Sequence, residues 1–248
     1  MLFSRGDVRS GSFAVDQDFA GCQIIGSREE QQDAYAFSVA EGDFPLLLVL
    51  ADGMGGHKGG RDAANAAVQG FIDGFHSYRT SENEPRSCLK ERLKSALDSA
   101  NKSVDELIRS DEATLLEAGT TLLALACSRS AVHWISVGDS PLFLWRKKKL
   151  ERLNEDHSMR AVLARKVAEG QMSPGDVDTH PERNVLLSAL NGLEPEKIDA
   201  PTGPFPLESG DILLAASDGI LSLTARQIEE VLKKYSKKPA SEIVRILL

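Results

Sequence analysis

Leu89, Leu93, Leu97, Ala100, Val104 and Leu107 recur at spacings of four and three, with polar residues between them. That period places all six on one stripe of a helix over residues 86–109. Elsewhere the period shortens. Residues 46–51 are unbrokenly apolar, as in a strand buried on both faces, and residues 21–25 and 34–39 read as short strands around a polar turn. Segments 120–127, 131–137 and 141–145 are strand-like and separated by Ser128-Arg129-Ser130 and Gly138-Asp139-Ser140. Connections that short join antiparallel neighbours, so the three predict a meander. Residues 185–190 and 211–216 complete the expected strands. Further helices are expected over the Ala-rich residues 61–75, over 158–169, from a capping box at Thr224-Ala225-Arg226-Gln227 through 232, and from Pro239 onward.

The order is antiparallel strands with a few long helices, not a βαβ alternation. An amphipathic helix cannot bury its stripe alone and needs a sheet beneath it. The expected fold class is therefore α+β, a four-layer α/β/β/α sandwich with two central antiparallel β-sheets flanked by helices. No Gly/Ser linker, low-complexity block or repeat interrupts residues 1–248, so a single domain is expected.

Composition narrows the class. With 42% hydrophobic and 27% charged residues the chain can bury a core. Acidic residues number 37 against 29 basic ones, for a net charge of −8, which argues against nucleic acid as a partner. The longest apolar run, residues 44–51, falls well short of the roughly 18–20 residues of a membrane helix. Nothing apolar follows Arg5 in the manner of a signal peptide. Cys22, Cys88 and Cys127 are odd in number and scattered, as expected of reduced thiols in a cytoplasmic protein.

Acids mark the ends of the apolar runs. Residues 46–51 lead into Asp52-Gly53, residues 212–217 into Asp218-Gly219, and Val137-Gly138 into Asp139; Asp33 is a fourth candidate. Each Asp-Gly is either a plain turn or a carboxylate held at a sheet edge beside a glycine carbonyl. Carboxylates that converge repel unless a cation sits among them, and oxygen donors without a Cys or His cluster suit Mg²⁺ or Mn²⁺. The glycine-rich stretch 53–60 matches neither a P-loop nor a dinucleotide fingerprint. Within it, His57 is either solvated or a proton donor. Arg28 is either a surface cation or a two-pronged phosphate grip. His76, His133, His157 and His180 receive no catalytic role, and Arg146-Lys147-Lys148-Lys149 reads as a solvated turn.

Residues 28–33, Asp52-Gly53-Met54-Gly55-Gly56-His57, Gly119-Thr120-Thr121, Gly138-Asp139-Ser140 and Ser217-Asp218-Gly219 occur in an order that resembles the metal-dependent protein serine/threonine phosphatases of type 2C, the PPM family. The resemblance implies hydrolysis of phosphoserine and phosphothreonine in proteins by a hydroxide bridging two Mn²⁺ or Mg²⁺ ions. By position it implies that Asp52 bridges the ions, that the Gly53 carbonyl and Asp218 complete their shells, and that Asp33 supports the water. Asp139 resembles the acid of a third, looser ion, Arg28 the phosphate-binding arginine and His57 the general acid. It further implies a monomer acting on a phosphorylated protein in signalling.

Two departures stand out. Gln31-Gln32-Asp33 occupies the place of the family's Asn-Glu-Asp or Asn-Gln-Asp, and the chain stops at Leu248 before the family's final strand and its metal-binding acid. The expectation is thus a phosphatase domain lacking the final C-terminal strand, with weakened metal binding. The alternatives are a catalytically impaired regulatory binding module and a metal-dependent nuclease or other phosphoesterase.

Overall fold

A computed structural model describes residues 2–3, 19–26, 30–39, 46–55, 57–78, 89–111, 115–128 and 130–248. Two antiparallel sheets pack face to face. In the larger one the strands run β10 (Phe205–Pro206), β7 (Ala131–Val137), β6 (Leu122–Cys127), β4 (Leu46–Met54) and β3 (Asp33–Val39), and β5 (Gly119–Thr120) pairs with the far end of β4. The smaller sheet has the order β11 (Ile212–Ala215), β8 (Leu142–Arg146), β9 (Lys149–Arg152). A two-stranded ribbon joins β1 (Leu2–Phe3) to β2 (Phe19–Ala20).

Alternation along the strands creates the layers, because successive side chains leave a strand on opposite faces. On β4, Leu47, Val49 and Ala51 point to helices α1 (His57–Ser77) and α2 (Leu89–Ser110), where Ala63, Ala67, Phe71, Leu93 and Leu97 meet them. Leu48 and Leu50 point the other way, into a second core with Leu123, Leu125, Leu142, Leu144 and Leu213 between the sheets. A third core lies behind the smaller sheet. There Trp145 and Leu214 pack on Ile228, Leu232, Ile243 and Val244, from helices at Ala225–Tyr235 and Ala240–Leu247. Three apolar layers between four structural layers make the α/β/β/α sandwich expected from the sequence.

The long stripe behaves as expected: Leu93, Leu97, Ala100 and Val104 are buried, with Leu89 and Leu107 packed at the margins. The capping box at Thr224 forms, with the Gln227 N–H donating to Thr224 Oγ1 and the Thr224 N–H to Gln227 Oε1.

Other expectations require correction. Residues 21–25 form no strand, and residues 185–190 contribute only isolated bridges at Leu186 and Leu190. The meander breaks after its second strand: β6 pairs with β7, but β8 pairs with β9 and β11 in the other sheet. Gly138, with φ +101°, turns the chain from one sheet to the other, a conformation that side-chain-bearing residues rarely adopt. After β11 the described chain is helical, apart from turns. Among the described residues no helix is long and apolar enough to cross a membrane.

Candidate metal centre

Asp52 and Gly53 are not a turn. They lie inside β4, with Asp52 opposite Asp33 on β3 and Gly53 opposite Thr120 on β5. Direct cross-strand neighbours share a face, so two carboxylates are forced together where like charge is unfavourable. The reason for glycine here is contact, not turning: a Cβ on Gly53 would overlap the carbonyl of Gly60 and stand 2.8 Å from that of Gln32. The glycine-rich loop is correspondingly short, because α1 begins at His57 and already contains Gly59 and Gly60.

Asp218 opens a 3₁₀ turn, Asp218–Ser222, with two residues between it and the end of β11. Ser217 just before it donates through Oγ to Asp33 Oδ2 at 2.9 Å, tying the smaller sheet to β3 across the site. Asp33, Asp52 and Asp218 line one cavity of about 450 Å³ together with Glu30. Asp139 follows Gly138, and its carbonyl accepts from Arg152 Nη2 at 2.8 Å while Arg152 pairs with Asp156.

The electrostatics report the convergence. Burial first, then the charge of Asp33 and Asp218, the hydrogen bond that protonated Asp52 makes with Asp33 and the charge of Asp139, push the Asp52 carboxyl up to about 8. Burial, followed by Asp218 and Asp156, pushes Asp139 up to about 6 against the opposing pull of a backbone hydrogen bond and Arg152. Four acids from four separate stretches of chain therefore share one field. Among the described residues no three acidic, His or Cys side chains form a closed cation cage. The donor set nonetheless fits a hard divalent cation: all oxygen and anionic. Glu30 Oε2 adds to this, buried with no hydrogen-bond partner among the described residues.

Raised carboxyls have a measurable consequence. Stability from a raised group is complete below its ordinary value and is lost as pH rises through the folded value. The metal-free protein should therefore lose stability progressively as pH climbs from 3.8 to about 8 and level off above that. At pH 7 Asp52 carries a proton that a cation must displace. Titration with Mn²⁺ in buffers of different ionisation enthalpy should show release of about one proton per molecule at pH 7, falling away by pH 9. Heats independent of the buffer would contradict this.

Of the other expected site residues, Arg28 lies outside the described residues, and for His57 only the backbone is described, as the first residue of α1. Several residues escaped the sequence reading. Glu30 sits two positions from Arg28, in a stretch that reads as a polar turn. Ser217 belongs to the Ser217-Asp218-Gly219 motif but is given no role of its own in it. His157, given no role, is buried at 1% exposure, and its Nδ1 accepts the Gly138 N–H at 3.2 Å. A readable signal existed for Thr120 and Thr121: two hydroxyls opening an otherwise wholly apolar strand.

Comparison with known proteins decides the family. The family model for protein phosphatase 2C matches residues 20–245. The chain belongs to the protein phosphatase 2C family. The phosphatase is similar to the serine/threonine phosphatase stp of Listeria monocytogenes, with 34% identity over 200 residues, 79% of this chain and 74% of that one. Its structure resembles the serine/threonine phosphatase of S. agalactiae, with a TM-score of 0.75, 26% identity and coverage of 95% and 90% of the two chains. It also shares the fold of the PstP catalytic domain solved in complex with 2 manganese ions, with a TM-score of 0.66, 24% identity and coverage of 95% and 88%. This phosphatase is thus a protein serine/threonine phosphatase of a metal-dependent family.

Proposed function

We propose that residues 1–248 act as one phosphatase unit that hydrolyses phosphoserine and phosphothreonine in proteins, using two divalent cations, Mn²⁺ or Mg²⁺, and a looser third. The observation that carries this reading is the register that sets Asp52 opposite Asp33 on adjoining strands, in one cavity with Asp218 and within the field of Asp139. A fold keeps such an unfavourable arrangement where a cation offsets it. Asp52 between the other acids would be shared by the two ions, with the Gly53 carbonyl and Asp33 on one side, Asp218 on the other, and Asp139 holding the third. Such ions, when bound, make water acidic enough to ionise near neutral pH and offset charge on phosphoryl oxygens.

The chain's own groups do the rest. Ser217 fixes the carboxylate of Asp33 by its hydrogen bond, so that this acid stays aimed into the cavity. Arg28 takes two phosphoryl oxygens in its planar fork and orients phosphorus for in-line attack. His57, heading the helix that follows β4, passes a proton to the departing serine or threonine oxygen, a contribution worth about 10²–10⁴-fold. No cysteine takes part. Cys22 and Cys127 are free thiols, and burial raises the Cys127 thiol far above its ordinary value, leaving it a poor nucleophile. In the same reading the enzyme works as a cytoplasmic monomer on a phosphorylated protein in a signalling circuit.

Turnover of a phosphothreonine peptide should vanish in EDTA, return with Mn²⁺ and survive thiol alkylation. Turnover by pure protein that EDTA leaves untouched would reject the cation-dependent reading.

A further inference from the structure

We propose that Thr121 is a positioning residue that locks the strand carrying Asp52 to the turn carrying Asp139, so that a single buried hydroxyl sets how well the site holds its cations. The inference rests on the cation-binding reading above and concerns how this chain builds that site.

Thr121 stands between β5 and β6 at 2% exposure. Its Oγ1 accepts the Asp52 N–H at 3.0 Å, and its own N–H donates to the Asp52 carbonyl at 2.9 Å. Thr120 Oγ1 donates to the same carbonyl at 2.9 Å. Both backbone groups of Asp52 are thereby gripped from one neighbouring segment, which fixes where the side chain starts. The same Thr121 hydroxyl lies 2.8 Å from Ser140 Oγ, beside Asp139. Its methyl side closes on Gly138, where an added Cβ would stand 2.6 Å from Thr121 Cγ2. One side chain thus touches both acid-bearing segments, which belong to different stretches of the chain.

The turn is braced from behind. Asn154 Nδ2 donates to the Ser140 carbonyl at 2.9 Å and to Ser136 Oγ at 3.2 Å. His157 clasps Gly138 from both sides, its Nδ1 accepting the Gly138 N–H and its own N–H donating to the Gly138 carbonyl at 3.1 Å. An Nδ1 that accepts requires the neutral ring with its proton on Nε2. Thr121, Ser136, Ser140, Asn154 and His157 are all buried polar residues, gathered behind the acids. Apart from His157 Nε2, which has no hydrogen-bond partner among the described residues, these groups hold one another in place, and a buried lattice of this kind resists movement of any one member. Ligand-orienting groups at one remove from a metal typically change its affinity about 10–100-fold when lost.

The test is Mn²⁺ titration by calorimetry on Thr121→Val, Thr121→Ser, Ser140→Ala and the Thr121→Val/Ser140→Ala double variant, with thermal melts alongside. Valine keeps the shape of threonine and removes the hydroxyl; serine keeps the hydroxyl. Expected are a loss of about 10–100-fold in Mn²⁺ affinity for Thr121→Val and Ser140→Ala, affinity within about 3-fold of the parent for Thr121→Ser, and a double variant no weaker than the worse single one. Parent-like Mn²⁺ affinity in Thr121→Val, with only its melting temperature lowered, overturns the proposal. So does a double variant whose losses simply multiply. Should Thr121→Val fail to fold, unchanged Mn²⁺ affinity in Ser140→Ala overturns it equally. A parent protein that binds no Mn²⁺ at all would instead sink the cation reading on which the inference rests.

Discussion

Asp52→Asn should abolish turnover, by about 10³-fold or more, and at the same time make the metal-free protein more stable. The two effects have one cause. Asp52 lies opposite Asp33 on adjoining strands and within the field of Asp218 and Asp139, and burial leaves little water to screen them. Without cations the fold must either leave this carboxyl protonated or bear the repulsion. An amide of the same shape removes the charge and so removes the cost, with a gain of about 1–2 kcal/mol. The gain should grow with pH, because the parent carboxyl is held up to about 8 and loses its stabilising proton as pH rises through that value. Urea unfolding in chelator at pH 5 and pH 8 measures this. A variant that is less stable than the parent at pH 8, or that still turns over a phosphopeptide, would remove Asp52 from the centre of the site.

Gly53→Ala should damage the protein through shape alone. The added methyl overlaps the Gly60 carbonyl and approaches that of Gln32, and both are backbone atoms that cannot rotate aside. Either β4 or the first turn of α1 must move. Small-to-large changes in packed interiors cost about 1–3 kcal/mol. The displacement falls on the residue next to Asp52 and on the helix headed by His57, so activity should drop about 10²-fold as well. Raising Mn²⁺ should not restore it, since the donor groups are misplaced rather than absent. A melting temperature and turnover matching the parent would show that the close approach of Gly53 to Gly60 is dispensable.

Much of the fold was readable because one-dimensional patterns express it. The stripe from Leu89 to Leu107 needed only a period of 3.6, and the run 46–51 needed only its apolarity. Elements without such patterns were missed. The basic run Arg146-Lys147-Lys148-Lys149 marks the hairpin turn, where Lys147 and Lys148 both have positive φ, at 52° and 66°, but the four residues of β9 beyond it are too few to show a period. The short helix Pro174–Thr179 has Ser173 as cap and proline at its start but no apolar stripe, so periodicity passed over it. Residues 185–190 are apolar enough for a strand but find bridges only at Leu186 and Leu190. Their role depends on partners distant in the chain, which local pattern does not encode.

The candidate site divides in the same way. The acids were legible because Asp33, Asp52, Asp139 and Asp218 adjoin apolar runs that had to be strands. Glu30, Asn154 and His157 were not, because nothing in their immediate neighbours separates a buried polar residue from a solvated one. Of the two readings open for Asp52-Gly53, a plain turn or a carboxylate held at a sheet edge, the turn falls away, since β3 and β5 pair with the dipeptide inside β4.

By itself the sequence determined the layer architecture and the identity of the acids, for periodicity and charge are local properties carried by each segment alone. Only the tertiary structure decided that Asp33 faces Asp52 across a strand pair, that Ser217 reaches back to Asp33, and that Thr121 bridges to Ser140. Those relations arise when the two sheets close on one another, because register and burial are properties of pairs of segments, and no single stretch of chain contains them.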